Sequence, residues 1–369
     1  SDYGLKKAKK EKYNYRPQYK SNKIGAYHWN EAMHPEINAS EEFISNKESA
    51  KTYLSNGFGS VLTHTHDGIL RGTGVFVSLS NKTDNENVLI KNGAAFYSFR
   101  KGVSSQKNPS SLMGSIALIR QNFLDAEWYK TQQNQTNLSY DAFVQQITLP
   151  QIFALNDELD FSRLHKIADE FEVDFIVKGN GKEFLRINEV IESKFPVILP
   201  INFPNAYDVD DPYESLDLSL EKMKHWELAP ANAALLASKG VVFAFSAFGL
   251  KNTEDFLENV KSCVKHGLSE EVALKALTIV PAKMLGISDT YGALKKGMKA
   301  NFIVCEKNLF NSNSKILENW IQGKAFVVNQ KQEHDYRGSY ILKINGEIFP
   351  LEIVGEPDKL DAKLISKDT

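Results

Sequence analysis

The sequence predicts an α/β protein on a buried parallel sheet, either a (β/α)8 barrel or a doubly wound sheet, with a small C-terminal β annex. Three observations carry this. From residue 150 to 277, short apolar runs alternate with amphipathic stretches, the mark of βαβ units around a parallel sheet. No Gly-x-Gly-x-x-Gly follows any of those runs, so dinucleotide binding is unsupported. After residue 290 the pattern turns to short strands, and Asn345-Gly346 separates the last two, a two-residue hairpin signal.

Residues 1–38 carry aromatics and lysines with little periodicity and read as an arm. Residues 41–56 read as a helix, with Ser40 as N-cap and Glu41 and Glu42 near its positive end. Gly57 and Gly59 lead into a strand at 60–64. Strand-like pieces at 73–79 and 88–98, with a polar turn at 81–87, read as a hairpin-like insert. Asn108-Pro109 predicts the start of a long helix. Leu112, Ile116, Ile119 and Phe123 form its apolar stripe, widened by Met113, Ala117, Leu124 and Trp128. Residues 131–139 form a polar break. Strands are expected at 152–155, 175–178, 197–202 and 241–246. Helices are expected at 161–171, 183–193, 216–224, 231–238, 253–266 and 269–277. The annex strands fall at 301–305, 325–328, 339–344 and 347–353.

Composition excludes several classes. The chain of 369 residues is 42% hydrophobic and 24% charged, too apolar for disorder. A formal net charge of -2 provides no general attraction for nucleic acid or anionic membrane. The basic residues between Lys6 and Lys23 read as a solvated arm rather than a polyanion site. No run is long and apolar enough for a transmembrane segment, and no secretory core is present. Compartment stays open, cytoplasmic or exported after removal of a signal. Cys263 and Cys305 read as buried small hydrophobes, not a disulfide.

Thr63-His64-Thr65-His66-Asp67 is the conspicuous motif. Two-residue periodicity puts His64 and His66 on one face, with Thr63 and Thr65 on the other. With Asp67 they form a chemically reasonable zinc set, which His28 and His34 could approach. The competing reading is two neutral, hydrogen-bonded histidines filling a pocket. Asp208, Asp210 and Asp211 lack the turn spacing of a calcium loop and read as capping and solvation. Lys178, at a strand's end, is a candidate low-pKa amine or anion anchor, or a partner for Asp157 or Glu183.

The segment from Gly240 to Gly323 is the most specific. It reads Gly-Val-Val-Phe-Ala-Phe-Ser-Ala-Phe-Gly-Leu from Gly240 and Gly-Leu-Ser-Glu-Glu-Val-Ala-Leu-Lys-Ala-Leu-Thr from Gly267. Pro281-Ala-Lys-Met-Leu-Gly-Ile and Gly292-Ala-Leu-Lys-Lys-Gly-Met-Lys-Ala-Asn-Phe-Ile-Val follow, then Trp320-Ile-Gln-Gly-Lys. This series resembles the closing half of the amidohydrolase superfamily, in its imidazolonepropionase-like branch. The resemblance implies a TIM-like (β/α)8 barrel over 1–290, whose first strand falls outside this chain. It implies the C-terminal part of a composite β-sandwich over 291–330, and leaves 331–369 as a β-hairpin extension. It also implies that the chain is a piece of a longer polypeptide.

The family's metal-dependent hydrolysis of carbon–nitrogen bonds uses a His-x-His after the first strand, histidines ending the fifth and sixth, and an aspartate ending the eighth. Matched residue by residue, the fifth-strand position is Ala154, the sixth Lys178 and the eighth Ala247. The first-strand pair falls at or before Ser1. Asn301 stands where the family carries Asp. Alanine cannot ligate, and a protonated lysine repels a divalent cation. The resemblance thus implies a pseudoenzyme without a metal cofactor, serving as a structural or binding domain. Its partners would be a neighbouring domain of a longer chain, a second copy, or a small-molecule or peptide ligand. The alternative is an active hydrolase with zinc relocated to His64, His66 and Asp67. A third reading is a binding module in which Tyr13, Tyr15, Tyr19, Tyr27 and Trp29 clamp a ligand.

Overall fold

The computed structural model describes residues 2–9, 19, 21–132, 134–211, 213, 216, 218–330, 335–356 and 359–364. Seven strands form one sheet in chain order. They are β1 (Ser60–Thr63), β2 (Leu70–Ser78), β3 (Val88–Ser98), β4 (Gln151–Ala154), β5 (Phe175–Lys178), β6 (Val197–Pro200) and β7 (Phe243–Ser246). Neighbours from β3 to β7 are parallel, whereas β2 runs antiparallel to both β1 and β3. β1 therefore points the same way as β3–β7, and the C-terminal ends of these six strands share one edge.

Connection length explains the single reversed strand. Only residues 64–69 separate β1 from β2, and only 79–87 separate β2 from β3. A parallel crossover takes about a dozen residues or more, so both returns must be antiparallel. The segment between β3 and β4 holds two helices, ample for a crossover. The pieces expected as a hairpin-like insert are thus central strands of the main sheet, and all nine residues of β2 are buried.

The sheet curls. Leu62, Ala94, Phe96, Ile152, Ile176 and Ile198 come from five different strands, yet pack into one cluster with Met284 and Leu285. Side chains on one face of a flat sheet could not all meet. The opposite face, including Tyr97, Phe153, Val177 and Val197, packs in a second cluster with helical residues such as Phe123, Phe161, Leu164 and Phe256. β1 and β7 are the outer strands, so the sheet is a curled seven-stranded arc of the barrel type.

Gly72 shows how tightly the N-terminal segment lies against this sheet. Thr73 N donates to Ile37 O at 2.9 Å. Gly72 sits at φ +74°, where an added Cβ would lie 1.9 Å from the same carbonyl oxygen. Gly72→Ala is therefore expected to destabilise by roughly 2–3 kcal/mol, from left-handed backbone plus over-packing. Urea denaturation of both proteins measures it.

Several local expectations change. The helix expected over 41–56 is two helices, Ala39–Glu42 and Lys47–Ser55. Asn38 and Asn46, not Ser40, accept the capping N–H bonds. The long helix runs Leu112–Lys130, capped by Ser111 rather than Asn108, because the Ser111 hydroxyl accepts from Gly114 N. It buries Leu118, Ile119, Phe123 and Ala126, whereas Met113, Leu124 and Trp128 face solvent. The expected widening of its stripe thus lies on the opposite face. Part of the polar break belongs to the helix Leu138–Gln146, because the Asn137 side chain caps it by accepting from Ser139 N and Tyr140 N.

The annex is two antiparallel sheets, Phe302–Cys305 with Ile316–Ile321 and Lys324–Val327, then Gly338–Ile344 with Glu347–Glu356 and Lys359–Leu364. Buried Asn319 ties the first to the main body by donating to Leu54 O at 2.9 Å and Phe58 O at 3.0 Å. No helix among the described residues is long and apolar enough to cross a membrane.

Candidate functional site

The shared C-terminal edge of the strands brings distant residues together. His64 directly follows β1, Ala154 and Lys178 end β4 and β5 as register partners, and Ala247 follows β7. Because β2 is reversed, Arg71 enters at this edge. Phe248 lies just beyond Ala247, and its ring reaches back to Lys178.

A chain of ring contacts lines this mouth. The His64 ring centroid lies 3.6 Å from that of Phe96 and 4.0 Å from that of His66. His66 stacks on Phe248 at 5.3 Å, and Lys178 Nζ sits 2.9 Å from the centroid of the Phe248 ring. The two histidine rings do meet, but in the segment after β1, which ends at Thr63 and not His64 as expected, so strand periodicity is not what pairs them. Thr63 turns elsewhere and donates to Tyr3 O at 2.9 Å.

Burial sets the charges. His64 is fully enclosed, and burial, reinforced by His66, Arg71 and Lys178, holds its pKa well below the ordinary value. It is a neutral imidazole, and its Nδ1 is a buried atom with no hydrogen-bond partner. Lys178 is 9% exposed. Burial first, then the charge of Arg71, pulls its pKa down to about 7, against a weak opposing pull from Asp2. Arg71 is also buried, and its Nε donates to Gly68 O at 3.0 Å.

The expected acid partners of Lys178 are engaged elsewhere. Asp157 lies 3.5 Å from Arg163. Buried Glu183 accepts from Asn180 N at 2.9 Å, Gly181 N at 3.1 Å and Asn232 Nδ2 at 2.7 Å. Among the described residues no carboxylate is within ion-pair distance of Lys178. The ring of Phe248 occupies that place.

The alternative metal set does not converge. Asp67 Oδ1 accepts from Val103 N at 2.7 Å, which turns the carboxylate toward the 100–103 loop. His34 does approach the motif, but its Nε2 lies 2.9 Å from Asp67 O and its Nδ1 3.0 Å from Glu31 O. Both ring nitrogens thus face carbonyl oxygens, to only one of which a neutral ring can donate. His28 packs between Trp29 and Tyr140 instead. Among the described residues no three His, Cys, Asp or Glu side chains gather as a metal-holding group. With Ala154, Lys178 and Ala247 at the strand ends, the donors as arranged do not fit a divalent cation.

Other candidates resolve simply. Asp208 and Asp211 cap their own loop, accepting from Asp210 N and Tyr213 N. Of the aromatic arm, Tyr13 and Tyr15 lie outside the described residues. Tyr19 is exposed, Tyr27 lies beneath Lys23, and Trp29 stacks on His28. Sequence reasoning misses Arg71, Phe96 and Phe248. Arg71 has a signal, a lone charge within the otherwise uncharged run 69–79. Phe96 and Phe248 read as ordinary core.

Comparison with known proteins agrees with this architecture. The sequence profile of the amidohydrolase family matches residues 216–328. An amidohydrolase from Thermotoga maritima MSB8 shares the fold, with a TM-score of 0.65 at 20% identity over 84% of each chain. A β-aspartyl dipeptidase from Fervidobacterium islandicum AW-1 is 13% identical over 53% of this chain and 56% of its own, at a TM-score of 0.37 that carries no weight. No curated protein matches by sequence. Residues 216–328 thus match the amidohydrolase family, within a chain that shares the fold of a solved amidohydrolase.

Proposed function

We propose that this domain keeps the amidohydrolase barrel architecture but has given up metal-dependent hydrolysis, and serves as a binding or structural domain. The observation that carries this is the strand-end set Ala154, Lys178 and Ala247 at one edge of the sheet. Two of these positions have no side-chain donor atom, and the third is a buried amine within charge range of Arg71. In this reading the chain stands in the imidazolonepropionase-like branch. Residues 1–290 form the barrel, 291–330 the C-terminal part of a composite sandwich and 331–369 an extension. The natural partner is a neighbouring domain of a longer chain or a second copy. Elemental analysis of the purified chain, before and after incubation with zinc, manganese or ferrous iron, tests it. Less than stoichiometric metal after gel filtration is expected; one metal ion held per chain would overturn it.

A second reading, an active hydrolase with zinc at His64, His66 and Asp67, draws on the unpartnered His64 Nδ1 and the 4.0 Å approach of the two rings. It requires the Asp67 carboxylate to leave Val103. It predicts that changing both histidines to Ala abolishes metal binding and turnover of amide or peptide substrates together. Turnover that survives the double change would end it.

A further inference from the structure

We propose that the mouth around Lys178 is a binding site for the carboxylate of a small organic acid with an apolar body. The inference deepens the binding role above and rests on it. Two buried cationic side chains converge on the strand-end edge, Lys178 from β5 and Arg71 from the start of β2. Lys178 is nine-tenths buried without an ion-pair partner among the described residues. Arg71 donates from Nε to Gly68 O, and its terminal nitrogens donate to no described residue. The carboxylate nearest to Arg71 in charge range, Asp67, already accepts from Val103 N. A buried amine within charge range of a buried guanidinium, neither with a carboxylate at ion-pair distance among the described residues, is the arrangement a ligand carboxylate completes.

The surroundings select among anions. Phe96 is 5% exposed against His64, and Phe248 stacks on His66 while covering Lys178 Nζ. These walls are apolar and aromatic, which suits a carboxylate on an apolar body better than a strongly hydrated phosphate. Phe248 is 45% exposed, so its ring can swing outward and yield the ammonium to a ligand oxygen. The ring holds the place of the ligand in the free protein.

Binding should carry a proton. The charged and titratable groups facing Lys178 are His64 and His66 from the end of β1, Arg71 from β2, and Asp2 at longer range. An incoming carboxylate favours the protonated amine. Protein whose Lys178 is neutral in the free state must take up a proton to bind, and affinity falls as pH rises past about 7.

Isothermal titration with benzoate on chelator-treated protein tests this, with benzamide as the uncharged counterpart. Benzoate stays ionised throughout, so its affinity should weaken about thirtyfold from about pH 6 to about pH 8.5, following the protonated fraction of Lys178. Benzamide should bind at least about tenfold more weakly, lacking the charge-assisted bonds. Lys178→Met should abolish benzoate binding while the folded far-ultraviolet spectrum persists. Phe248→Ala should tighten it about threefold to thirtyfold, because the ring no longer competes for the ammonium. Equal binding of benzamide, an unchanged pH profile in Lys178→Met, or complete displacement of benzoate by equimolar inorganic phosphate would each overturn the assignment. Any metal is removed beforehand, so failure of the parent to bind benzoate overturns the carboxylate site, while the loss of metal chemistry is tested separately by the elemental analysis.

Discussion

Lys178→Met is expected to make the protein more stable at neutral pH, by about 3 kcal/mol. The downward pull of the amine from 10.5 to about 7 corresponds to at most about 5 kcal/mol of penalty for burying its charge. The contact with the Phe248 ring, worth about 2 kcal/mol when desolvated, is lost with the ammonium and reduces the gain. Methionine keeps the length and the apolar stem, so little packing is lost. The sign with pH follows from linkage. Below about 7 both folded and unfolded chains hold the proton, and the full penalty is present. Between about 7 and 10.5 the unfolded chain alone holds it, so the parent gains stability as pH rises. The advantage of Lys178→Met should therefore shrink across that window. Chemical denaturation of both proteins at several pH values measures the difference and cancels the other groups. A variant less stable than the parent at pH 7 would show that Lys178 has an acid partner after all.

Glu183→Ala should cost about 3 kcal/mol or more. The carboxylate is fully buried and accepts from two backbone N–H groups and from Asn232 Nδ2. Its loss takes the acceptor from two part-buried backbone N–H groups, at about 1–3 kcal/mol each, offset by removal of a buried carboxyl, while Asn232 Nδ2 keeps Gly181 O at 3.3 Å. Burial raises the pKa of that carboxyl, although these hydrogen bonds oppose the shift. Glu183→Gln separates hydrogen bonding from charge. Its amide oxygen can keep Asn180 N and Gly181 N, and Asn232 can turn its buried, unpartnered Oδ1 toward the new amide. Glu183→Gln should stay within about 1 kcal/mol of the parent. Thermal melts of both variants decide it; equal losses would show that the charge itself matters.

Much of the fold is readable from the residues. The runs at 152–155, 175–178 and 241–246 all become parallel strands, because an apolar run between amphipathic helices can be buried only inside a sheet. The reversed β2 is readable too, since residues 64–69 cannot hold a crossover. Its resemblance to an insert comes from an alternation that looks local. The helix faces are harder. Met113, Leu124 and Trp128 are apolar yet exposed, and periodicity alone does not say which of two apolar stripes meets the sheet.

The candidate site divides along the same line. The apolar runs placed strands at 152–155, 175–178 and 241–246, and the family resemblance picked out Ala154, Lys178 and Ala247 at or beside their ends. Sequence alone also put His64 and His66 on one side by strand periodicity; the rings do meet, although the strand ends at Thr63. Tertiary structure alone decided what surrounds them. The fold brings Phe248 onto Lys178, Arg71 within its charge range and Phe96 against His64, while Asp67 turns away to Val103 and Glu183 serves a loop. Those contacts join residues far apart in the chain, and burial there sets which groups are charged. No local pattern encodes the distance between strand ends, and that distance decides whether the mouth holds a metal, a bare amine or a ligand's carboxylate.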